Sequence, residues 1–218
     1  MRRSDRIFAA AAVSALALAF GCGSNDGVGP QLTESEGIAF GWQAFEGGNF
    51  ARAESFFLAA VRANGRSVEA NTGLGWARAY SGDLDLAAAS FEKAAMLDLA
   101  GADARAGLAA VRLAGRELQK AIDRATEALA LAPEWTFDHR AGVDAQDLHL
   151  ILAQAYALQG EARYAAAQME LDRLDPQNGL DPDDSRSWGV GQVLYSSYRD
   201  ALLEAIEAVE RRVGAAIP

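Results

Sequence analysis

Few residues in this chain are equipped for bond-making chemistry. His139 and His149 are its two histidines, Cys22 is its single cysteine, and an acidic run occupies residues 175–184. A separation of ten residues between the histidines fits no compact metal-ligand pattern, and no cysteine stands near either. His149 lies inside an apolar run and reads as a packed or edge histidine. The acidic run lacks the alternating oxygen donors and central glycine of a calcium loop, so it reads as a solvated loop. No glycine-rich phosphate loop, G-x-S-x-G elbow or H-E-x-x-H pair is present. These residues predict no catalytic centre, metal site or cofactor site. What remains is recognition chemistry: Trp42 and Trp76 stand 34 residues apart, two amphipathic rings able to anchor a partner.

The elements that must position those rings follow the same step. Ala53, Ala87 and Ala121 are 34 residues apart, as are Ala60, Ala94 and Ala128, and Phe57, Phe91 and Ala125. Gly41, Gly75 and Ala109 keep that interval, preceded by Phe40, Leu74 and Leu108. Breaks at residues 47–49, 81–83 and 115–117 divide each copy into two helices. Ala, Leu, Glu and Arg favour helix and long β-branched runs are absent, so the predicted class is all-α. The small member of each large-small pair is expected to admit the second helix at Ala53, Ala87 or Ala121. Phe57 and Phe91 are expected to fill the gap to the next copy.

A 34-residue helix-turn-helix period of this content resembles the tetratricopeptide repeat. The resemblance implies a right-handed α-solenoid with units at residues 34–67, 68–101 and 102–135, whose first helices line a concave face. Matching residue by residue, it implies a partner-binding groove made of Ile38, Trp42 and Phe45 in the first unit. Glu69, Thr72, Trp76 and Tyr80 continue it in the second, followed by Asp103, Leu113 and Gln154. Trp42 and Trp76 would then lie on neighbouring helices roughly 10 Å apart, offered to a peptide or covered by the chain before Thr33 or by the C-terminal helix. The Lys- and Asn-based clamp with which some family members hold acidic C-termini is absent, which implies a partner of basic or apolar character.

Residues 136–144 interrupt the period, and a degenerate fourth unit is expected at 145–176. There Leu152 and Ala153 match the large-small pair, Gly160 the turn, Ala165 the close contact and Met169 the gap filler. Residues 177–218 are expected to be a loop and then a capping helix. Its apolar stripe would run through Leu194, Tyr198, Leu202, Ala205, Val209 and Val213 from residue 190 onward.

The first residues predict targeting. Arg2, Arg3 and Arg6 precede a charge-free run at 7–20, too short for a membrane span of about 20 residues. This has the form of a signal peptide over residues 1–21. Leu18, Ala19, Phe20 and Gly21 before Cys22 resemble the lipobox of bacterial lipoproteins, which implies a lipidated Cys22 and a membrane anchor. Cleavage at Ala17-Leu18-Ala19 is the other reading, and it leaves Cys22 a free thiol. Residues 22–33 are a polar, glycine-rich tether. Gly23 and Ser24 after the cysteine imply, by the same resemblance, the outer membrane facing the periplasm.

Half of the residues are hydrophobic, enough for a continuous core, and the formal charge of −10 argues against nucleic acid as a partner. The expected function is a non-catalytic, membrane-anchored protein–protein interaction scaffold of the bacterial cell envelope, with no cofactor. The alternative is a periplasmic small-molecule binding protein that uses the aromatic groove.

Overall fold

A computed structural model describes residues 32–213; Cys22, the expected signal peptide and most of the expected tether lie outside them. Eight helices form four antiparallel pairs: α1 (Glu34–Glu46) with α2 (Phe50–Ala63), α3 (Val68–Tyr80) with α4 (Leu84–Leu97), α5 (Asp103–Ala114) with α6 (Leu118–Leu131), and α7 (Ala145–Gln159) with α8 (Tyr164–Leu174). Each pair packs on the next in chain order, and α9 (Tyr198–Val213) packs on α7 and α8. The fold among the described residues is an all-α solenoid whose one sheet is a two-stranded hairpin, β1 (Gly189–Val190) with β2 (Val193–Leu194).

Local chemistry explains where the helices start. Thr33 and Glu36 form a reciprocal capping box at α1, and Asp144 and Asp147 do the same at α7. Ser67 caps α3 and Asn49 caps α2 through their side chains. The turns inside the first three pairs all place one residue in the left-handed region, at Gly48, Gly82 and Arg116. Arg116 keeps the 34-residue register although it carries a side chain, so the turn geometry is stronger than the local preference for glycine.

The packing logic is a clamp on single phenyl rings. Phe57 and Phe91 are fully buried. A Cβ added at Gly41 would sit 2.5 Å from the Phe57 ring, and one at Gly73, in the next unit, 2.4 Å from the same ring. Gly75 and Gly107 hold Phe91 in the same way, at 2.5 and 2.3 Å. The small residue of the first helix therefore has the phenyl ring as its nearest neighbour. The registers that pair phenylalanine with glycine carry Ala125 in the third unit and Ile151 in the fourth. The bulk has changed sides across that junction while both positions stay buried.

Two expectations are corrected. In the fourth pair Ala165 and Met169 face solvent, and the buried positions of α8 are Ala167 and Leu171. The cause is a turn lengthened by a 3₁₀ segment, Glu161–Arg163, which moves the helix register by two residues. The capping helix begins at Tyr198, with the Ser197 hydroxyl accepting the Asp200 N–H at 3.2 Å. Leu194 belongs instead to the exposed hairpin, whose turn contains Gly191 at positive φ. Phe40, the large residue of the first unit, is half exposed, since no described helix precedes α1 to cover it, whereas its equivalents Leu74 and Leu108 are buried.

Candidate functional site

The face formed by α1, α3, α5 and α7 is filled by the chain itself. After α6 the backbone leaves the repeat, and Thr136 and Asp144 pair as an isolated antiparallel bridge. The Phe137 N–H donates to the Val143 carbonyl at 2.9 Å, and Gly142 turns the segment at φ +82°. This closes residues 136–144 into a small loop. Phe137 and Val143 face inward and are buried, while Asp138, Arg140 and Ala141 face outward.

Phe137 enters the aromatic groove. Its ring stacks on Trp76 at 4.6 Å between centroids and meets Trp42 and Phe45 edge-on at 6.0 and 5.9 Å. Trp135 lies beside it at 6.4 Å. His139 stacks flat on Trp42, with centroids 3.6 Å apart and planes 6° from parallel, while its Nδ1 is 2.9 Å from Glu46 Oε1. The Arg140 guanidinium sits 4.4 Å over the Tyr80 ring. Burial pushes the Tyr80 hydroxyl up to about 12, against the opposing field of Arg140.

Trp42, Phe45 and Trp76 are thereby core residues, and of the two readings of the indoles the covered one holds. The cover is the insertion. Trp76 is fully buried and its indole N–H finds no hydrogen-bond partner. Sequence reasoning missed Trp135, Phe137 and His139 as members of this face. The available signal was three ring side chains, with Trp135 at the junction, in and beside a segment that breaks the period, where a solvated linker would have none.

The other groove positions divide. Ile38 and Leu113 are half-buried, and Thr72 is buried. Gln154 donates from Nε2 to Glu210 Oε2 on α9 at 2.9 Å, so the C-terminal helix closes that end. Leu113 and Gln154 line a cavity with Leu203, Ile206 and Glu210 there. Glu69 and Asp103 are exposed, and each holds an indole: Trp42 Nε1 donates to Glu69 Oε1 at 3.1 Å, and Trp135 Nε1 to Asp103 Oδ1 at 2.6 Å. Asp147, one register further, is buried and accepts the Asp144 N–H at 2.9 Å, and burial pushes its carboxyl up to about 6.

Between α1, α3, α5 and the loop lies a cavity of about 270 Å³. Glu69, Asp98, Asp103 and Asp138 surround it together with Thr72, Trp42 and His139. Elsewhere, His149 Nδ1 pairs with Glu170 Oε2 at 2.7 Å. In the 175–184 run, Asp184 is held by Arg186 and Asp175 by Arg212. Among the described residues no three His, Cys, Asp or Glu side chains come together as a metal-ligating group.

The sequence matches no protein-family model and no curated protein. Solved structures do match. A crystal structure of MamA is 21% identical, with 82% of this chain and 91% of that chain covered and a TM-score of 0.58. A second MamA crystal structure is 20% identical over 79% and 93%, with a TM-score of 0.55. A K341M mutant of O-GlcNAc transferase from Thermobaculum terrenum is 24% identical over 69% of this chain and 29% of its own, with a TM-score of 0.51. At these identities the likeness speaks to fold. It agrees with the 34-residue registers and the four stacked helix pairs: the protein has the tetratricopeptide-repeat fold.

Proposed function

We propose that this chain is a non-catalytic scaffold that holds a protein partner on its concave face while tethered to a membrane of the bacterial cell envelope. The observation that carries the reading is the division of that face. Aromatic residues that would compete for any apolar surface are sealed by residues 136–144, and the exposed carboxylates Glu69, Asp103 and Asp138 are left as a rim lining the remaining cavity. Such a rim selects a partner by charge and steers its approach. The tether supports the second half of the reading: Cys22 follows a lipobox-like stretch and precedes a glycine-rich segment. Lipidation there would anchor the solenoid at the outer membrane, facing the periplasm.

The small-molecule alternative needs open indole faces, and those of Trp42 and Trp76 are stacked on His139 and Phe137. The scaffold is therefore preferred.

Photo-crosslinking in intact cells tests it. A crosslinker at Glu69, on the rim, should yield discrete protein adducts, and one at the exposed Leu86 should not. Equal adducts at both positions, or none at Glu69, would sink the assignment of the concave face. Palmitate labelling of the wild type, lost in Cys22→Ala, checks the anchor separately.

A further inference from the structure

Resting on that reading, we propose that the cavity bounded by Glu69, Asp98, Asp103 and Asp138 is a receptor for one arginine side chain of the partner polypeptide. The four carboxylates surround a single space of about 270 Å³ whose lining includes no lysine or arginine. None of them takes part in an ion pair among the described residues, and Arg105, which donates to the Asp98 carbonyl at 3.2 Å, pairs with Glu127 instead.

Three of the carboxylates are already oriented. A neutral N–H holds one oxygen of each: Trp42 Nε1 on Glu69 Oε1, Trp135 Nε1 on Asp103 Oδ1, and the Ala100 N–H on Asp98 Oδ1 at 2.9 Å. Glu69 Oε2, Asp103 Oδ2 and Asp98 Oδ2 accept no hydrogen bond from any described residue. Fixed acceptors with free lone pairs are what a charged donor needs, since little ordering entropy is left to lose on binding.

An independent feature points into the same space. Thr72 is 94% buried (6% exposed) and lines the cavity, yet its hydroxyl makes no hydrogen bond to any described residue. A hydroxyl that no protein group holds is free to accept from a ligand donor arriving in the cavity.

Geometry selects the kind of cation. The carboxylates line the space, and no three of them come together as a metal-ligating group. A planar guanidinium, with five N–H donors spread in a fork, matches acceptors arranged in that way better than a point charge does. Val68, Ala94 and Ala104 supply apolar wall for the three-methylene stem.

The test uses the full chain and follows the indole Nε1–H signals of Trp42 and Trp135 by NMR, because both report on pocket carboxylates. The probes are acetyl-Gly-Gly-Arg-Gly-Gly-amide, its citrulline analogue, which is neutral and nearly isosteric, and free arginine amide. We expect the arginine peptide to shift both signals and the citrulline peptide to bind at least tenfold more weakly. Asp98→Asn combined with Asp138→Asn should weaken the arginine peptide at least fivefold, with the thermal midpoint unchanged. No shift, equal binding of citrulline, or indifference to the double variant overturns the pocket. Free arginine amide binding as tightly as the peptide overturns its assignment to a partner polypeptide. If Glu69 crosslinks persist in the double variant while the arginine peptide does not bind the wild type, the scaffold stands and the pocket alone falls.

Discussion

The two non-periodic parts of this molecule do the same job with different chemistry. Residues 136–144 cover the concave face of the first units with Phe137, His139 and Val143, while α9 covers the last pair with Leu202, Ile206 and Val209. At the C-terminal end the cover also ties down its surroundings: Gln154 donates to Glu210, and Arg212 pairs with Asp175. At the N-terminal end the apolar surface is sealed, but four carboxylates around the cavity have no cation partner among the described residues. A segment that only protected the core would be expected to add an arginine or lysine to that rim. The one cation outward on the loop, Arg140, sits over Tyr80 instead. The difference separates cover from receptor.

Truncating the two covers tests that contrast most severely. Phe137→Ala removes a buried ring packed against Trp42, Phe45 and Trp76 among others and should cost about 3–5 kcal/mol. Leu202→Ala, at the centre of the C-terminal cluster, should cost about 2–5 kcal/mol. Both are measured by denaturant unfolding. A negligible loss for Phe137→Ala would mean that the loop is a detachable flap and not core. The phenyl clamps come next: Gly73→Ala should cost about 1–3 kcal/mol by driving a methyl into the Phe57 ring. Recovery of part of that loss in Gly73→Ala with Phe57→Leu would confirm the ring as the obstacle.

A smaller effect distinguishes the carboxylates. Asp147 is buried, and its folded-state value of about 6 lies above the ordinary 3.8. Below 3.8 the group is protonated whether or not the chain is folded, and stability is then highest. As pH rises through 6 the native state must accept a buried charge, and that stability is lost. Asp147→Asn should therefore flatten the fall in thermal midpoint between pH 4 and 7 and stabilise the fold at pH 8, by about 1 kcal/mol after allowance for solvent screening. An unchanged pH slope would contradict the burial argument. The smallest expected effect compares indoles. Trp42→Phe discards a hydrogen bond to Glu69, whereas Trp76→Phe discards an N–H that has no partner, so the second should be the less costly by about 1 kcal/mol.

Much of the fold was legible because the solenoid is nearly one-dimensional. Each unit contacts mainly its neighbours, so the residues that make a junction recur at a fixed step, and Phe57, Phe91 and the alanines beside them announce it. The fourth pair was readable through Gly160 and then slipped, because a 3₁₀ turn adds two residues that leave no mark in the apolar pattern. The helix expected from residue 190 failed for a similar reason: Leu194 happens to fall on the stripe of α9 but lies in a hairpin before it. The site was legible in part. Glu69, Asp103 and Thr72 were singled out, while Asp98 and Asp138 stand at a helix end and in an insertion, where no periodicity reports position.

Taken alone, the chain of residues determined the all-α class, the 34-residue helix pairs and the turns between them, since these rest on contacts between neighbours in sequence. It also determined that Trp42 and Trp76 share one face. The tertiary structure decided whether that face is open. Phe137 reaches Trp42 across 95 residues and His139 reaches Glu46 across 93. Contacts of that span come from how far the solenoid curves and where an aperiodic loop returns, and no local preference encodes either.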